Sequence, residues 1–233
     1  MIAGVRGDEE HFDAARFDAE IEAHGTQALW RKARTCPCRL EHTDQPDPTC
    51  PFCVEGIIWD AGTPVKILAT ARKRRDHYDV AGMWMGGMIT LTFPSTVTPG
   101  HYDRFNLLNA EMVVNNERHT RGEVDRLGRS KERLRLDPVS AEAIEYCEAI
   151  EGDTLRSYVQ PADFSMGEDA VINWAGGHGP GEGVEYTLRY RARPAYVVWS
   201  PQSRDEGGTR LQYRADAQRL DFFKPRVVGG ADG

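Results

Sequence analysis

Long apolar runs are missing from this chain. No stretch of its 233 residues approaches the ~20 apolar residues that a membrane helix needs, so a helix-spanning membrane protein is excluded. The first residues, MIAGVRGDEEHFDAARFD, carry neither an apolar run nor the layout of a signal peptide. The expected setting is a reducing cytoplasm. An excess of basic charge is missing too. Acidic side chains outnumber basic ones 36 to 29, the net charge is −7 and the sequence pI is about 5.5, so a basic nucleic-acid-binding surface is not the first expectation. Local clusters such as Arg72 to Arg75 could still touch phosphate, but a short Lys/Arg run is more often a solvated face. Catalytic signatures are absent as well: there is no G-x-S-x-G, no H-E-x-x-H and no Walker-type glycine loop. The glycines of Gly176 to Gly183 lack the Lys-Ser/Thr ending and read as a loop. His77-Tyr78-Asp79 and His101-Tyr102-Asp103 look alike and echo part of an acid–base set, but both sit in turn-like contexts. The expectation is a protein that is not an enzyme.

What the chain does have is a concentration of cysteine. Cys36, Cys38, Cys50 and Cys53 form a C-P-C pair and a C-P-F-C pair, with eleven polar, proline-containing residues between them. In a reducing compartment such a cluster points to metal ligation before disulfides. Two tight turns, each offering two thiolates, suit a tetrahedral zinc site with sulfur at ~2.3 Å. Pro37 and Pro51 stiffen the turns, and Gly56 lets the chain leave the second one with positive φ. The loop between the pairs has no core of its own, and a metal replaces one. Three alternatives stay open: three of these cysteines with His42, a pair of disulfides formed after release from the cell, or four free thiols. A four-thiolate site is closed and does not catalyse. Cys147, in AIEYCEAI, reads as a buried small residue.

Around this cluster the pattern changes from helix to strand. The segment from Asp8 to Arg34 is the best helical candidate, with acids at its start and Gly25 ending the first helix. From Val65 onward, short β-branched and aliphatic runs dominate: VKILATARK, GMITLTF, RFNLLNAEMVV, RLRLDPV, AVINWA and AQRLDFF. The stretch from Ala141 to Phe164 reads as a hairpin turning at Gly152-Asp153. EYTLRYRARPAYVVW is the strongest strand signal, with Pro194 at a bend. The fold class is therefore mainly β, a small barrel or sandwich with an N-terminal helical arm and a zinc-knuckle module. The expected parts are an arm over 1–34, the metal module over 35–60, the β domain over 61–224 and a flexible tail over 225–233.

The segment ALWRKARTCPCRLEHTDQPDPTCPFCVEGIIWD resembles the start of a family of tailed-bacteriophage head–tail connector (neck) proteins. The resemblance rests on Trp30, Arg31, Cys36-Pro37-Cys38, Asp47-Pro48, Cys50-Pro51-Phe52-Cys53, Gly56 and Trp59. Weaker similarities follow in GHYDRF, LRLDPV, ADFSM, INW, EYTLRYRARPAYVVW and QRLDFF. Val54-Glu55 departs from the glycine or small polar residue expected after the last cysteine. The resemblance implies a structural virion protein of the neck, assembled in the host cytoplasm as a sixfold or twelvefold homo-oligomeric ring. Its implied partners are a portal or adaptor ring and tail proteins, with genomic DNA passing through the channel and no membrane. The alternative reading is a zinc-containing nucleic-acid-binding protein, for which Arg31, Lys32, Arg34 and Arg39 would supply a small basic face.

Overall fold

The computed structural model describes residues 13–38, 45–47, 50, 52–71, 87–125, 127–202, 205–206, 209–210 and 213–222. Pro51, His42, Arg39, Arg72 to Arg75, His77-Tyr78-Asp79 and the expected tail over 225–233 lie outside these residues. The elements in chain order are helix α1 (Ala14–His24) and strands β1 (Thr26–Arg31), β2 (Ala33–Thr35), β3 (Ile57–Trp59), β4 (Thr63–Ala71), β5 (Met88–Thr92), β6 (Arg104–Leu107), β7 (Met112–Thr120) and β8 (Ile144–Glu151). They continue with β9 (Thr154–Tyr158), β10 (Phe164–Met166), β11 (Ile172–Trp174), β12 (Glu185–Ala192), β13 (Ala195–Gln202), β14 (Asp205–Glu206), β15 (Thr209–Arg210) and β16 (Arg214–Arg219). No helix among the described residues is long and apolar enough to cross a membrane.

Helix α1 starts where Asp13 caps it: its Oδ1 accepts from the N–H groups of Ala15 and Arg16 at 3.0 and 3.2 Å. It ends at Gly25, as the sequence predicts. The φ there is −69°, so the glycine is not needed for left-handed backbone. It is needed for space, because a Cβ would run into the carbonyl oxygen of Ile21. The helix packs on its own barrel. Ile21 is buried, Asp18 accepts from Ser95 N–H at 2.9 Å, and Glu22 meets Lys66 at 2.7 Å.

The helical expectation overshoots beyond Gly25. Thr26–Arg31 is a barrel strand, not part of a helix, because Ala28 and Trp30 alternate inward while β4 and β6 pair on either side. The closed barrel runs β1-β4-β5-β16-β13-β6, entirely antiparallel. Six strands enclose a narrow interior. Phe93 and Phe105, with centroids 4.9 Å apart, fill it beside Ala28, Ala215 and Ala217, large beside small.

Between β6 and β13 the chain leaves the barrel and builds a second unit with its own core. Its sheet has the order β7-β12-β8-β9, backed by the β10–β11 hairpin. Tyr186, Leu188 and Tyr190 of β12 point inward at a period of two, as the sequence predicts, and Gly152-Asp153 turns the β8–β9 hairpin. RLRLDPV is not a strand. Leu134 and Leu136 enter the core, but the backbone makes only isolated bridges at Arg133 and Pro138. Pro194 sits between β12 and β13, at the corner where the chain returns to the barrel. There its carbonyl accepts from Leu107 N–H at 2.9 Å, so exit and return lie side by side.

Two acids among the described residues of this second unit are buried. Glu117 accepts from Tyr190 Oη at 2.6 Å and from Arg135 N–H at 2.8 Å. Glu132 accepts from Tyr186 Oη and Trp174 Nε1, both at 3.0 Å, and pairs with Arg121 at 3.3 Å. Burial, and then the neighbouring carboxylate, hold both tyrosines protonated well above their ordinary range. Unfolded tyrosines lose their protons near pH 10. Below that pH these two groups leave stability unchanged. Above it the unfolded state sheds protons that the folded state keeps, so stability falls as pH rises. The expected slope is about 1.4 kcal/mol per pH unit for each tyrosine. Urea unfolding across the alkaline range, followed with tyrosinate absorbance, checks this. A flat stability above pH ~10 would contradict it.

Candidate metal centre

The four cysteines converge because a short hairpin closes their loop. Strand β2 leads into Cys36 and β3 leaves after Cys53, paired Ala33↔Trp59, Arg34↔Ile58 and Thr35↔Ile57. The N–H of Cys36 donates to Gly56 O at 2.7 Å, tying the first pair to the turn after the second. Val54 and Ile57 exchange hydrogen bonds of 3.0 and 2.9 Å around Glu55-Gly56. Both central residues have positive φ, 52° and 82°, which is the geometry of a two-residue type I′ turn. Gly56 meets the sequence expectation, and Glu55 takes the less suitable position. A side chain at Gly56 would also strike Pro46, which packs over it.

The sulfurs of Cys36, Cys38, Cys50 and Cys53 all lie within 4.8 Å of one another. Cys36 and Cys50 are 3.8 Å apart, and Cys38 and Cys53 3.5 Å. A disulfide needs ~2.05 Å, so all four are free thiols. A tetrahedron with sulfur at ~2.3 Å from its centre has edges of about 3.8 Å, which the Cys36–Cys50 and Cys38–Cys53 separations approach. The donor set therefore fits a metal ion, with two sulfurs from each turn. Two of the four, Cys36 and Cys50, are buried.

Backbone N–H groups support the sulfurs as anions. The N–H of Phe52 is the largest influence on Cys50 and brings its pKa down to about 7. Asp47 and Gly56 act in the same direction on Cys38 and Cys53, but burial outweighs them and raises both. Four thiols this close cannot all ionise alone, whereas a divalent cation at their centre reverses that balance. Cys147 stands apart, buried, and burial pushes it up to about 12. It is the small core residue that the sequence predicts.

The module is bolted to the barrel by residues that the sequence did not single out for this role. Trp59 Nε1 donates to Tyr102 O at 2.9 Å, and Asp60 accepts from Lys32 N–H at 3.0 Å. Ile57 packs on Val197, with Ala33, Trp59 and Trp199 around them. The central tie is Asp103. Its carboxylate accepts from Trp30 Nε1 at 2.7 Å and from the N–H groups of Ala33 and Gly100, both at 2.8 Å. One side chain thus holds β1, β2 and the turn before β6. His101 is exposed and lies against Tyr102, with centroids 3.9 Å apart. The His101-Tyr102-Asp103 motif is a structural turn and latch, and its Asp is buried rather than solvated.

Asp103→Ala leaves an indole N–H and two backbone N–H groups without their acceptor. The expected loss is about 2–3 kcal/mol in urea unfolding, with a red-shifted Trp emission as Trp30 meets water. Asp103→Asn keeps one acceptor oxygen and should lose less. Equal losses for the two variants would argue against the latch.

No protein-family model matches this chain, and no curated protein matches it.

Proposed function

We propose that the protein is a non-catalytic structural subunit of a tailed-phage neck, and that the ion held by Cys36, Cys38, Cys50 and Cys53 is zinc. The observation that carries the reading is the four-sulfur cluster, tied to a closed barrel within the segment that resembles neck proteins. A closed all-cysteine site supplies structure rather than chemistry.

The four-stranded sheet is compatible with ring assembly. Its edges are β7 and β9, and with four antiparallel strands these edges run in opposite directions. Head-to-tail rotation would bring β9 of one copy beside β7 of the next and continue the antiparallel alternation. Ile150, Leu155 and Val159 are exposed near the β9 edge and Val113 lies on β7, which gives such a contact apolar surface. In this reading the ring sits in the virion between a portal or adaptor ring and the tail proteins, and genomic DNA passes through it.

The test combines metal analysis of protein purified under reducing conditions with negative-stain images, alone and mixed with isolated portal assemblies. About one zinc per chain and closed rings in either preparation are expected. Monomers in both preparations overturn the ring. Monomers that also bind DNA in a salt-sensitive way favour the zinc-containing nucleic-acid-binding alternative.

A further inference from the structure

Antiparallel pairing sets Arg31 of β1 directly opposite Arg104 of β6. Like charges facing each other across a ladder repel and weaken it. Both arginines lie on the outer wall of the barrel, since Trp30 and Phe105 beside them turn into the core. The Nε of Arg31 is buried and has no hydrogen-bond partner among the described residues. The Arg104 side chain is only 13% exposed and sits under Trp59, 5.8 Å from the ring centroid. Its Nε donates to Asn106 at 2.8 Å, and its nearest acid is Asp137 at 3.7 Å, which Asn106 Nδ2 already engages. Burial lowers the pKa of Arg104; Asp137 opposes that effect, and Arg31 adds to it.

Arg31, Trp59, Arg104 and Asp137 line a cleft of about 930 Å³ where the barrel, the cysteine module and the inserted unit meet. That volume suits a small-molecule site. Most of its acids are committed. Of the four acids in the lining, Asp137 is shared between Asn106 and Arg104, Asp169 holds Arg133 at 2.9 Å, and Asp221 holds Arg219 at 2.6 and 2.7 Å, leaving Glu55. Against that single carboxylate stand Arg31, Arg135 and Arg193, none of which has an acid partner among the described residues.

We propose that this junction binds a phosphoryl-bearing ligand, gripped by Arg31, Arg104 and Arg193 with Arg135 at the rim. A planar carboxylate is satisfied by one guanidinium fork. A tetrahedral phosphoryl group presents oxygens in several directions and suits guanidiniums arriving from separate elements. Here they arrive from β1, from β6 and from the corner between β12 and β13. The bound anion separates the charges of Arg31 and Arg104. It also ties together the three parts that wall the cleft. Free polyphosphate and the phosphodiester backbone of nucleic acid share this chemistry. The site does not depend on the neck reading.

Calorimetric titration and thermal unfolding of the full chain test it with three probes: inorganic pyrophosphate, a short oligothymidylate and citrate. Pyrophosphate or the oligonucleotide is expected to bind and to raise Tm, with affinity falling about tenfold in Arg193→Gln and in Arg31→Gln. Tighter binding of pyrophosphate identifies a small phosphorylated ligand, and tighter binding of the oligonucleotide identifies a nucleic-acid backbone. Should Arg31→Gln fail to fold by circular dichroism, Arg193→Gln and Arg31→Lys carry the comparison, the lysine variant losing the fork but keeping the charge. The proposal is overturned by the absence of binding to both phosphoryl probes, by equal binding in wild type and variants, or by citrate binding as tightly as pyrophosphate.

Discussion

Cys50→Ser is expected to empty the metal centre and loosen the module while the barrel stays folded. Cys50 is one of the two buried sulfurs, and Phe52 N–H favours its thiolate, so its loss removes the sulfur best prepared to be an anion. Structural zinc contributes about 10–16 kcal/mol of apparent binding free energy in small zinc modules. Here the β2–β3 pairing, the Trp59–Tyr102 hydrogen bond and the Asp103 latch hold the base of the module through groups other than the sulfurs. The damage should therefore be confined to Cys36–Gly56. Metal content should fall from about one per chain to near zero. Limited proteolysis should find new cleavage inside that segment, and the main unfolding transition should move little. Chelation of the wild type should reproduce the effect, and zinc should reverse it. Unchanged metal content, or collapse of the whole protein, would defeat this account.

Glu132→Ala is expected to be the most damaging single change in the inserted unit. Glu132 is 3% exposed and anchors Tyr186 Oη, Trp174 Nε1 and Arg121 at once. Removing the carboxylate leaves three donors buried or half-buried without an acceptor, one of them charged. Breaking one side of such a pair costs about 3–5 kcal/mol. The edge-on contact of Trp174 with Tyr186, centroids 5.2 Å apart, loses its alignment as well. Near-ultraviolet circular dichroism should lose intensity from these aromatics, and the urea midpoint should fall. Glu132→Gln keeps the shape and one acceptor oxygen, and should recover part of the loss. A change below about 1 kcal/mol for the alanine variant would show that the cluster is not held by its acid.

Local features were legible and relational ones were not. The sulfur cluster could be read because its four cysteines come from two tight turns close in the chain. The β8–β9 hairpin was legible for the same reason: its turn signal and its period of two are adjacent. Strand β1 was misjudged because Thr26–Arg31 follows a real helix, and nothing local reveals that β4 and β6 flank it. RLRLDPV imitates a strand because Leu134 and Leu136 alternate inward, yet Glu117 and Tyr190 take up backbone N–H groups there that a ladder would use. Glu117, Glu132 and Asp103 resemble any solvated acid in sequence; the donors Arg135, Tyr190, Trp174, Tyr186, Trp30 and Ala33 lie 18 to 73 residues away from them. The opposition of Arg31 and Arg104 likewise exists only once the register is fixed.

The placement of β16 has a consequence for synthesis on the ribosome. That strand pairs with both β5 and β13, so the barrel has no closed wall until Arg219 has emerged from the exit tunnel. The inserted sheet is complete as soon as β12 is out, since its strands all lie between Met112 and Ala192. The nascent chain therefore carries a finished appendage while the unfinished barrel still exposes two bare strand margins. Those margins would invite pairing with other nascent chains, and this is the interval in which a chaperone would protect the molecule most.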